Sequence, residues 1–171
     1  SKPPDATYRW EIHCLDRYTG KTLWSQVALE RKPTIAAQMG NTYASETPVS
    51  DGERVYVYFG KGGAYAFDLE GKELWHVSLG TSANAKNWGS ASSPVLYKNL
   101  VIINASEESH AVYGLDKATG KQVWKAEGSA LSYVFGTPLV VTHEGQTVIV
   151  LALPCVNQSS PPNPHVSELM V

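Results

Sequence analysis

A ten-residue phrase occurs twice in this sequence, and a shorter version of it lies between the two copies. The phrase reads LDRYTGKTLW at 15–24 and LDKATGKQVW at 115–124, and the shorter version reads FDLEGKELW at 67–75. A second marker keeps step with the phrase and reads ETPV at 46–49, SSPV at 92–95 and GTPL at 136–139. Two markers that recur together at this spacing indicate that the chain is built from a repeated structural unit.

Each repeat predicts four short strands. The first follows the Pro of the second marker, and the second is a β-branched run such as LVIINAS at 100–106. The third leads into the Asp of the phrase, and the fourth carries its Trp. The second strands are apolar on both faces, as in sheets covered on both sides, whereas the outer strands carry Lys, Glu and Gln, as edges near water do. A repeated four-stranded antiparallel unit is typical of a β-propeller blade, so the predicted fold class is all-β.

Composition agrees with this prediction and excludes other classes. Gly and Pro supply 14 and 10 of the 171 residues, with nine Tyr and five Trp, which favours many short strands. The one candidate helix, at 28–39, is interrupted by Pro33. A net charge of −2 with scattered charges argues against nucleic acid or an anionic membrane surface as partner. The longest apolar run, 147–156, is about half of what a membrane-spanning helix needs, so no membrane insertion is expected.

The phrase has a physical explanation as a hairpin turn that ends in an anchoring ring. Its Gly supplies the positive φ of the turn, its Asp accepts hydrogen bonds from turn amides, and its Thr hydroxyl assists. Its Trp is expected to lie flat across the neighbouring blade with its N–H bonded to a carbonyl. The residues with these structural roles are Asp16, Gly20 and Trp24, then Asp68, Gly71 and Trp75, then Asp116, Gly120 and Trp124, with Thr19 and Thr119 in the two full copies.

The pattern LDxxTGKxxW resembles the tryptophan-docking motif of the pyrroloquinoline-quinone-like (PQQ-like) repeat β-propellers, and the likeness covers roughly residues 8–153. That family includes quinoprotein alcohol dehydrogenases and the propeller lipoprotein of the outer-membrane β-barrel assembly machinery. The resemblance implies a bacterial, extracytoplasmic or periplasmic setting. Quinoprotein enzymes of this family carry an adjacent Cys-Cys pair and a calcium site of Glu, Asn and Asp. This chain has no Cys-Cys pair and no convincing counterpart of that set, so neither the quinone nor a metal is expected.

The predicted strands add up to about three blades. After an N-terminal extension at 1–7 come a half blade at 8–29, blades at 44–80 and 91–127, and a half blade at 136–153. A tail rich in Pro, Ser and Asn, 154–171, is expected to be mobile. Because closed propellers usually have four to eight blades, the chain is either a fragment of a longer propeller or one partner of a homodimer that exchanges its complementary half blades.

Two further expectations concern the compartment and the cysteines. No signal peptide opens the sequence at Ser1, which predicts a chain that is cytosolic or already processed. For Cys14 and Cys155, which lie far apart, two buried thiols are favoured over a disulfide.

The long connections between blades, at 30–43, 80–90 and 127–135, predict the position of a site, because binding residues concentrate in loops on a rigid scaffold. Glu46, just before a first strand, is the best candidate for a functional carboxylate. Glu107 and Glu108, in the polar stretch SEESH, are expected to be solvated. The candidate ligand-binding residues of this face are Glu46, Asn87, Trp88, Glu107 and His110.

No residue can be assigned a catalytic role. The sequence has no G-x-S-x-G nucleophile motif, and the Gly-rich stretch FGKGGAYAF at 59–67 reads as a hairpin loop without P-loop spacing. The favoured hypothesis is a non-catalytic binding or scaffold module that recognises a protein or small ligand through its long-loop face. The alternative is a small-molecule enzyme, a hydrolase or a fragment of a quinone-dependent oxidoreductase, with its site on the same face near Glu46 and Trp88.

Overall fold

The computed structural model describes residues 3–36, 42–82, 88–132 and 134–153. Within these ranges the chain forms twelve strands in four antiparallel sheets. Sheet I contains β1 (Tyr8–Leu15) and β2 (Thr22–Arg31); sheet II contains β3 (Val49–Ser50), β4 (Arg54–Tyr58), β5 (Ala64–Asp68) and β6 (Glu73–Val77). Sheet III contains β7 (Val95–Tyr97), β8 (Leu100–Ala105), β9 (Ala111–Asp116) and β10 (Gln122–Glu127); sheet IV contains β11 (Leu139–His143) and β12 (Gln146–Val150).

The order of strands is the same in both complete sheets. Sheet II runs β3-β4-β5-β6 and sheet III runs β7-β8-β9-β10, each strand pairing with its neighbour in sequence. The prediction of an all-β chain made of four-stranded antiparallel units is therefore confirmed. The candidate helix at 28–39 is not formed where the chain is described, because β2 continues through Arg31. A single-turn helix, α1 (Ser106–Ser109), joins β8 to β9.

The hairpin turns of the repeated phrase are closed by their aspartates. Oδ1 of Asp16 accepts hydrogen bonds from the backbone N–H and the hydroxyl of Thr19, at 2.8 and 2.7 Å. Asp116 and Thr119 repeat this arrangement at 2.9 and 2.7 Å. The bonds to Thr19 and Thr119 lower the pKa of the two aspartates, because they stabilise the ionised carboxylate.

Two of the three phrase tryptophans reach the turn of the following sheet. Nε1 of Trp24 donates to the Leu69 carbonyl at 2.9 Å, and Nε1 of Trp75 donates to the Lys117 carbonyl at 2.9 Å. The indole of Trp24 covers Gly71, where a Cβ would come within 2.8 Å of the ring, and Trp75 covers Gly120 in the same way at 2.7 Å. Sheet I is thus held to sheet II, and sheet II to sheet III, by a ring that requires glycine beneath it.

The third ring, that of Trp124, does not lie across the neighbouring sheet as predicted. Trp124 folds over Gly114, its cross-strand partner in its own sheet, where an added Cβ would overlap the indole. In the described part of the chain its Nε1 has no hydrogen-bond partner. The reason is that sheet IV consists there of β11 and β12 alone and offers no Asp–Gly turn to receive the indole.

The second marker also joins neighbouring sheets. The backbone N–H of Thr47 donates to the hydroxyl of Ser93 at 2.9 Å, and the N–H of Ser93 donates to the hydroxyl of Thr137 at 3.0 Å. These three residues each precede the Pro of their marker, so the contact repeats from sheet to sheet. We refer to it as the hydroxyl ladder.

Apolar side chains fill the space between consecutive sheets in three clusters. The largest lies between sheets II and III and includes Tyr56, Tyr58, Val101 and Ile103. At the edge of this cluster, Oδ2 of Asp51 forms an ion pair with the Lys117 ammonium at 3.1 Å. The same oxygen accepts a hydrogen bond from the Tyr56 hydroxyl at 3.0 Å. Although partial burial works to raise the pKa of Asp51, these donors and the neighbouring backbone amides lower it.

The structure bears on the predictions for the two cysteines and for membrane insertion. Cys14 is half-buried with a free thiol, and Cys155, together with the rest of the 154–171 tail, lies outside the described residues. Among the described helices, none has the length and apolarity needed to cross a bilayer.

Candidate binding face

The loops that enter and leave sheet II surround a small cavity at one face of the molecule. Its wall is formed by the connection after β2, the segment before β3, the 3-10 turn Gly60–Gly62 and residues 88–90. Glu108 of α1 closes it from sheet III. The cavity has room for water-sized groups in a volume of about 40 Å³. Its aromatic lining residues are Trp10, Tyr43, Phe59 and Trp88, and its charged ones are Arg31, Glu46, Lys61 and Glu108. We refer to this as the Glu46–Glu108 cavity.

Glu46 lies in this cavity, half-buried. Its Oε2 accepts the backbone N–H of Ser45 at 3.1 Å. Burial raises the pKa of Glu46 to about 8, and the charge of Glu108 adds to the increase. At neutral pH this carboxyl group therefore holds a proton for most of the time.

Glu108 is almost completely buried, with 1% of its surface exposed. The Tyr58 hydroxyl donates to its Oε2 at 2.7 Å. Its Oε1 is buried without a hydrogen-bond partner in the described residues. Burial raises the pKa of Glu108, and burial together with the Glu108 charge raises the pKa of Tyr58 well above its usual value.

The prediction that Glu107 and Glu108 are solvated is wrong, since both are buried. They stand on α1, which connects two strands at the centre of sheet III and packs against the segment that leaves sheet II. The N–H of Ser82 donates to the Glu108 carbonyl at 2.9 Å, and Gly80 passes so close that a Cβ there would overlap this carbonyl group. The polar stretch SEESH therefore forms a helical turn whose glutamates face the interior of the molecule.

Gly60 makes the approach of the two carboxyl groups possible. Its φ is +51°, and a Cβ at this position would lie 3.0 Å from Oε1 of Glu108 and 3.7 Å from Oε1 of Glu46. Both carboxyl groups thus point at the same spot, which only a glycine leaves open. The sequence indicated a hairpin loop at Gly60 but not this role.

Two basic residues complete the surroundings of the cavity. Nη2 of Arg31 donates to the Lys61 carbonyl at 2.6 Å, while its Nε is buried with no partner among the described residues. Burial lowers the pKa of Lys61, although the charges of Glu108 and Glu107 partly oppose this effect. Neither residue could be predicted from the sequence, because the positions of both depend on contacts between sheets I, II and III.

The other predicted residues of this face are not all brought together. Trp88 lines the cavity, is 44% exposed, and has its ring centroid 5.9 Å from that of Phe135. His110 is exposed, with a φ of +51° at the end of α1, and its Nδ1 lies 3.3 Å from the Ser132 hydroxyl, away from the cavity lining. Asn87 lies outside the described residues.

A family model described as outer membrane protein assembly factor BamB matches residues 6–154. The chain belongs to this BamB family. The resemblance to PQQ-like propellers is thereby confirmed. A comparison with curated proteins gave no match.

Two solved structures are similar to this BamB-family chain. BamB from Moraxella catarrhalis shares 16% identity at a TM-score of 0.46, over 74% of this chain and 34% of that one. Quinohemoprotein alcohol dehydrogenase from Comamonas testosteroni shares 21% identity at a TM-score of 0.47, over 68% of this chain and 18% of that one. The chain thus spans about a third of the first relative's length and less than a fifth of the second's.

The Glu46–Glu108 cavity is small and combines carboxyl groups with aromatic side chains. In the described parts of the chain, no three His, Cys, Asp or Glu side chains converge to hold a metal. Burial raises the pKa of both Glu46 and Glu108.

Proposed function

We propose that this chain is a non-catalytic binding module that recognises a polypeptide partner through its long-loop face. The observation that carries the proposal is the Glu46–Glu108 cavity, which combines exposed aromatic surface at Trp88 with a buried carboxyl oxygen that has no partner among the described residues. Aromatic anchors beside a polar pocket are typical of recognition surfaces. The family description names an assembly factor, which supports a protein partner and an extracytoplasmic setting.

The alternative remains a small-molecule enzyme with Glu46 as its functional carboxylate. The cavity volume of about 40 Å³ accepts a group of only a few atoms, which speaks against a tricyclic quinone seated in it. Among the described residues that line it there is no His or Cys, which speaks against a cysteine nucleophile or a histidine base.

Site-specific crosslinking tests the binding module. A photoreactive residue at position 88 should form adducts with one recurring polypeptide in an envelope extract. The same residue at position 53, on the exposed turn between β3 and β4 of sheet II, serves as the matched control and should not. Equal labelling at both positions would contradict recognition through the long-loop face. Turnover of an ester, glycoside or alcohol that is lost in a folded Glu46→Gln variant would establish the enzyme instead.

We also propose that sheets I and IV are two halves of one blade and that a second copy of the chain joins them. Among the described strands, β1 pairs only with β2 and β12 only with β11, so each sheet has an open edge. The turn of sheet I is an unused docking point, because a Cβ on Gly20 would meet nothing within 4 Å, whereas Gly71 and Gly120 are each covered by an indole.

The open turn of sheet I offers the same kind of acceptor that Trp24 and Trp75 use, a turn carbonyl beside a glycine, and could accept the N–H of Trp124. Leu69 and Lys117, whose carbonyl groups accept the other two indole N–H groups, each follow the Asp of their turn. Arg17 holds this place in sheet I. In the proposed homodimer the indole of Trp124 covers Gly20 of the partner and donates to the carbonyl of Arg17.

A further inference from the structure

We propose that the Glu46–Glu108 cavity binds a primary ammonium group, namely the end of a lysine side chain on the polypeptide partner. The inference rests on the proposed binding function and adds the chemical class of the group that is recognised.

The buried oxygen of Glu108 calls for a hydrogen-bond donor. Oε2 is satisfied by the Tyr58 hydroxyl at 2.7 Å, whereas Oε1 is buried in the described structure without any donor. Leaving a buried carboxylate oxygen unpaired costs a folded protein free energy, which a ligand donor would recover. Oε1 of Glu46 approaches the same spot above Gly60, so one donor group can reach both carboxyl groups.

The volume and the walls of the cavity favour an ammonium group on an alkyl chain. A volume of about 40 Å³ holds about three water-sized groups, which suits an amino group with its adjoining methylenes. Aromatic rings at Trp10, Tyr43 and Trp88 supply apolar walls and can attract a cation through their faces. A guanidinium is a wider planar fork, and Ca²⁺ requires six to eight oxygen ligands, whereas this cavity offers two carboxyl groups.

The proton on Glu46 is the charge that an ammonium group would replace. The titratable and charged groups that line the cavity are Glu46, Glu108, Arg31, Lys61 and the Tyr43 hydroxyl. From outside the lining, the Tyr58 hydroxyl donates to Glu108, and the charge of Glu107 acts on Lys61. Two carboxyl groups and two cations thus line the cavity, and a bound ammonium group would exchange the proton on Glu46 for a fixed positive charge.

Proton replacement gives the binding a pH dependence with a defined sign. Below the Glu46 pKa of about 8, each bound ammonium displaces about one proton, so affinity should rise about tenfold per pH unit between pH 6 and 7. The increase should level off as the pH passes 8. A neutral ligand would show no such slope.

The test uses Nα-acetyl-lysine methylamide as probe and the full chain in an NMR titration. The lysine probe should shift the backbone amides of Gly60 and Ser90, with at least tenfold weaker binding in Glu108→Gln. The matched control Glu70→Gln removes the same charge from an exposed turn and should bind like the wild type. Glu108→Gln keeps a carbonyl oxygen for the Tyr58 hydroxyl and replaces the unpaired oxygen with an amide NH2 group of the same size, so the variant should fold. A thermal unfolding curve like that of the wild type verifies this.

Parallel titrations with the norleucine analogue, the arginine analogue and CaCl2 decide the ligand class. Binding of the lysine probe alone supports the inference. Equal binding of the norleucine analogue, Ca²⁺ binding that is lost in Glu108→Gln, or no response to the lysine probe overturns it. If crosslinking at position 88 succeeds while the lysine probe fails, the binding module stands and the lysine pocket falls. If the lysine probe binds but crosslinking fails, the cavity still recognises a primary ammonium group, whereas the proposal of a polypeptide partner falls.

Discussion

Glu46 and Glu108 show how strongly the surroundings of a single residue alter its chemistry. Burial raises the pKa of Glu46 from an ordinary 4.5 to about 8. The folded state therefore binds a proton that the unfolded chain has released at neutral pH. The stabilising effect of that proton is fully present below pH 4.5 and is lost as the pH rises through 8, so the free energy of unfolding falls across this range.

Glu46→Gln should remove this pH dependence. Since glutamine is neutral at every pH, the variant should match the wild type near pH 5 and have the higher melting temperature near pH 9. Thermal unfolding followed by circular dichroism at both pH values measures the difference, with the exposed Glu70→Gln as control. If the melting temperatures of Glu46→Gln and the wild type differed by the same amount from pH 5 to pH 9, the raised pKa of Glu46 would be refuted.

At this scale the sequence predicted some of the residues that line the cavity, Glu46 and Trp88 among them. Glu46 was identifiable because it precedes the first strand of a repeat, where chains approach the centre of a propeller. Glu108 was misjudged, because a polar stretch between two strands is usually solvated, and only packing between sheets shows otherwise. The role of Gly60 could not be predicted, since it depends on two carboxyl groups that are 14 and 48 positions away in sequence.

The sheet-to-sheet contacts belong to the scale of the element. An indole, a turn carbonyl and a glycine form each docking point, and all three parts are fixed by the phrase itself. Burying a Trp ring removes a large apolar area from water, and the N–H bond gives the ring one orientation. The rigidity of the array therefore depends on glycines that no side chain can replace.

Gly120→Ala should destabilise the chain more than Gly52→Ala. Both glycines have positive φ, +70° and +91°, so each substitution costs about 1–2 kcal/mol in backbone strain. At Gly120 the new Cβ would also meet the Trp75 ring at 2.7 Å, whereas at Gly52 it meets nothing within 4 Å. An extra loss of about 1–3 kcal/mol is expected for Gly120→Ala, measured by urea unfolding. Equal losses would show that Trp75 does not restrict this position.

Element types were predictable to a large extent because each repeat carries its own turn chemistry. Asp, Thr and Gly at fixed offsets specify the hairpins, and β-branched runs specify the central strands. The first strands were less predictable: β3 has only two residues, since its Pro and its turn shorten it on both sides. The hydroxyl ladder was invisible in the sequence, where the Ser or Thr before Pro showed only as a marker.

At the scale of the whole molecule, Trp124 and the turn of sheet I are complementary parts of one docking point. Among the described residues the indole of Trp124, on sheet III, reaches no Asp–Gly turn, and Gly20 in the turn of sheet I is covered by no indole. The contact proposed between two copies would therefore repeat the contacts by which Trp24 docks on sheet II and Trp75 on sheet III.

The proposed homodimer should be visible by light scattering as twice the chain mass of 18.6 kDa at micromolar concentration. Gly20→Ala should dissociate it, because the new Cβ would occupy the place of the partner's Trp124 ring. Gly145→Ala, at a turn with φ of +80° and equally open space, is the matched control and should remain dimeric. A wild-type monomer at these concentrations would show that a second copy does not complete the blade.

The hydroxyl ladder has a consequence for how such chains change in length over evolution. Each repeat brings one donor for its successor and one acceptor for its predecessor at the same offset, as Ser93 does between Thr47 and Thr137. A tandem duplication or deletion of one whole repeat would therefore leave the donor and the acceptor of every such contact matched, which allows related chains to differ in length by whole repeats.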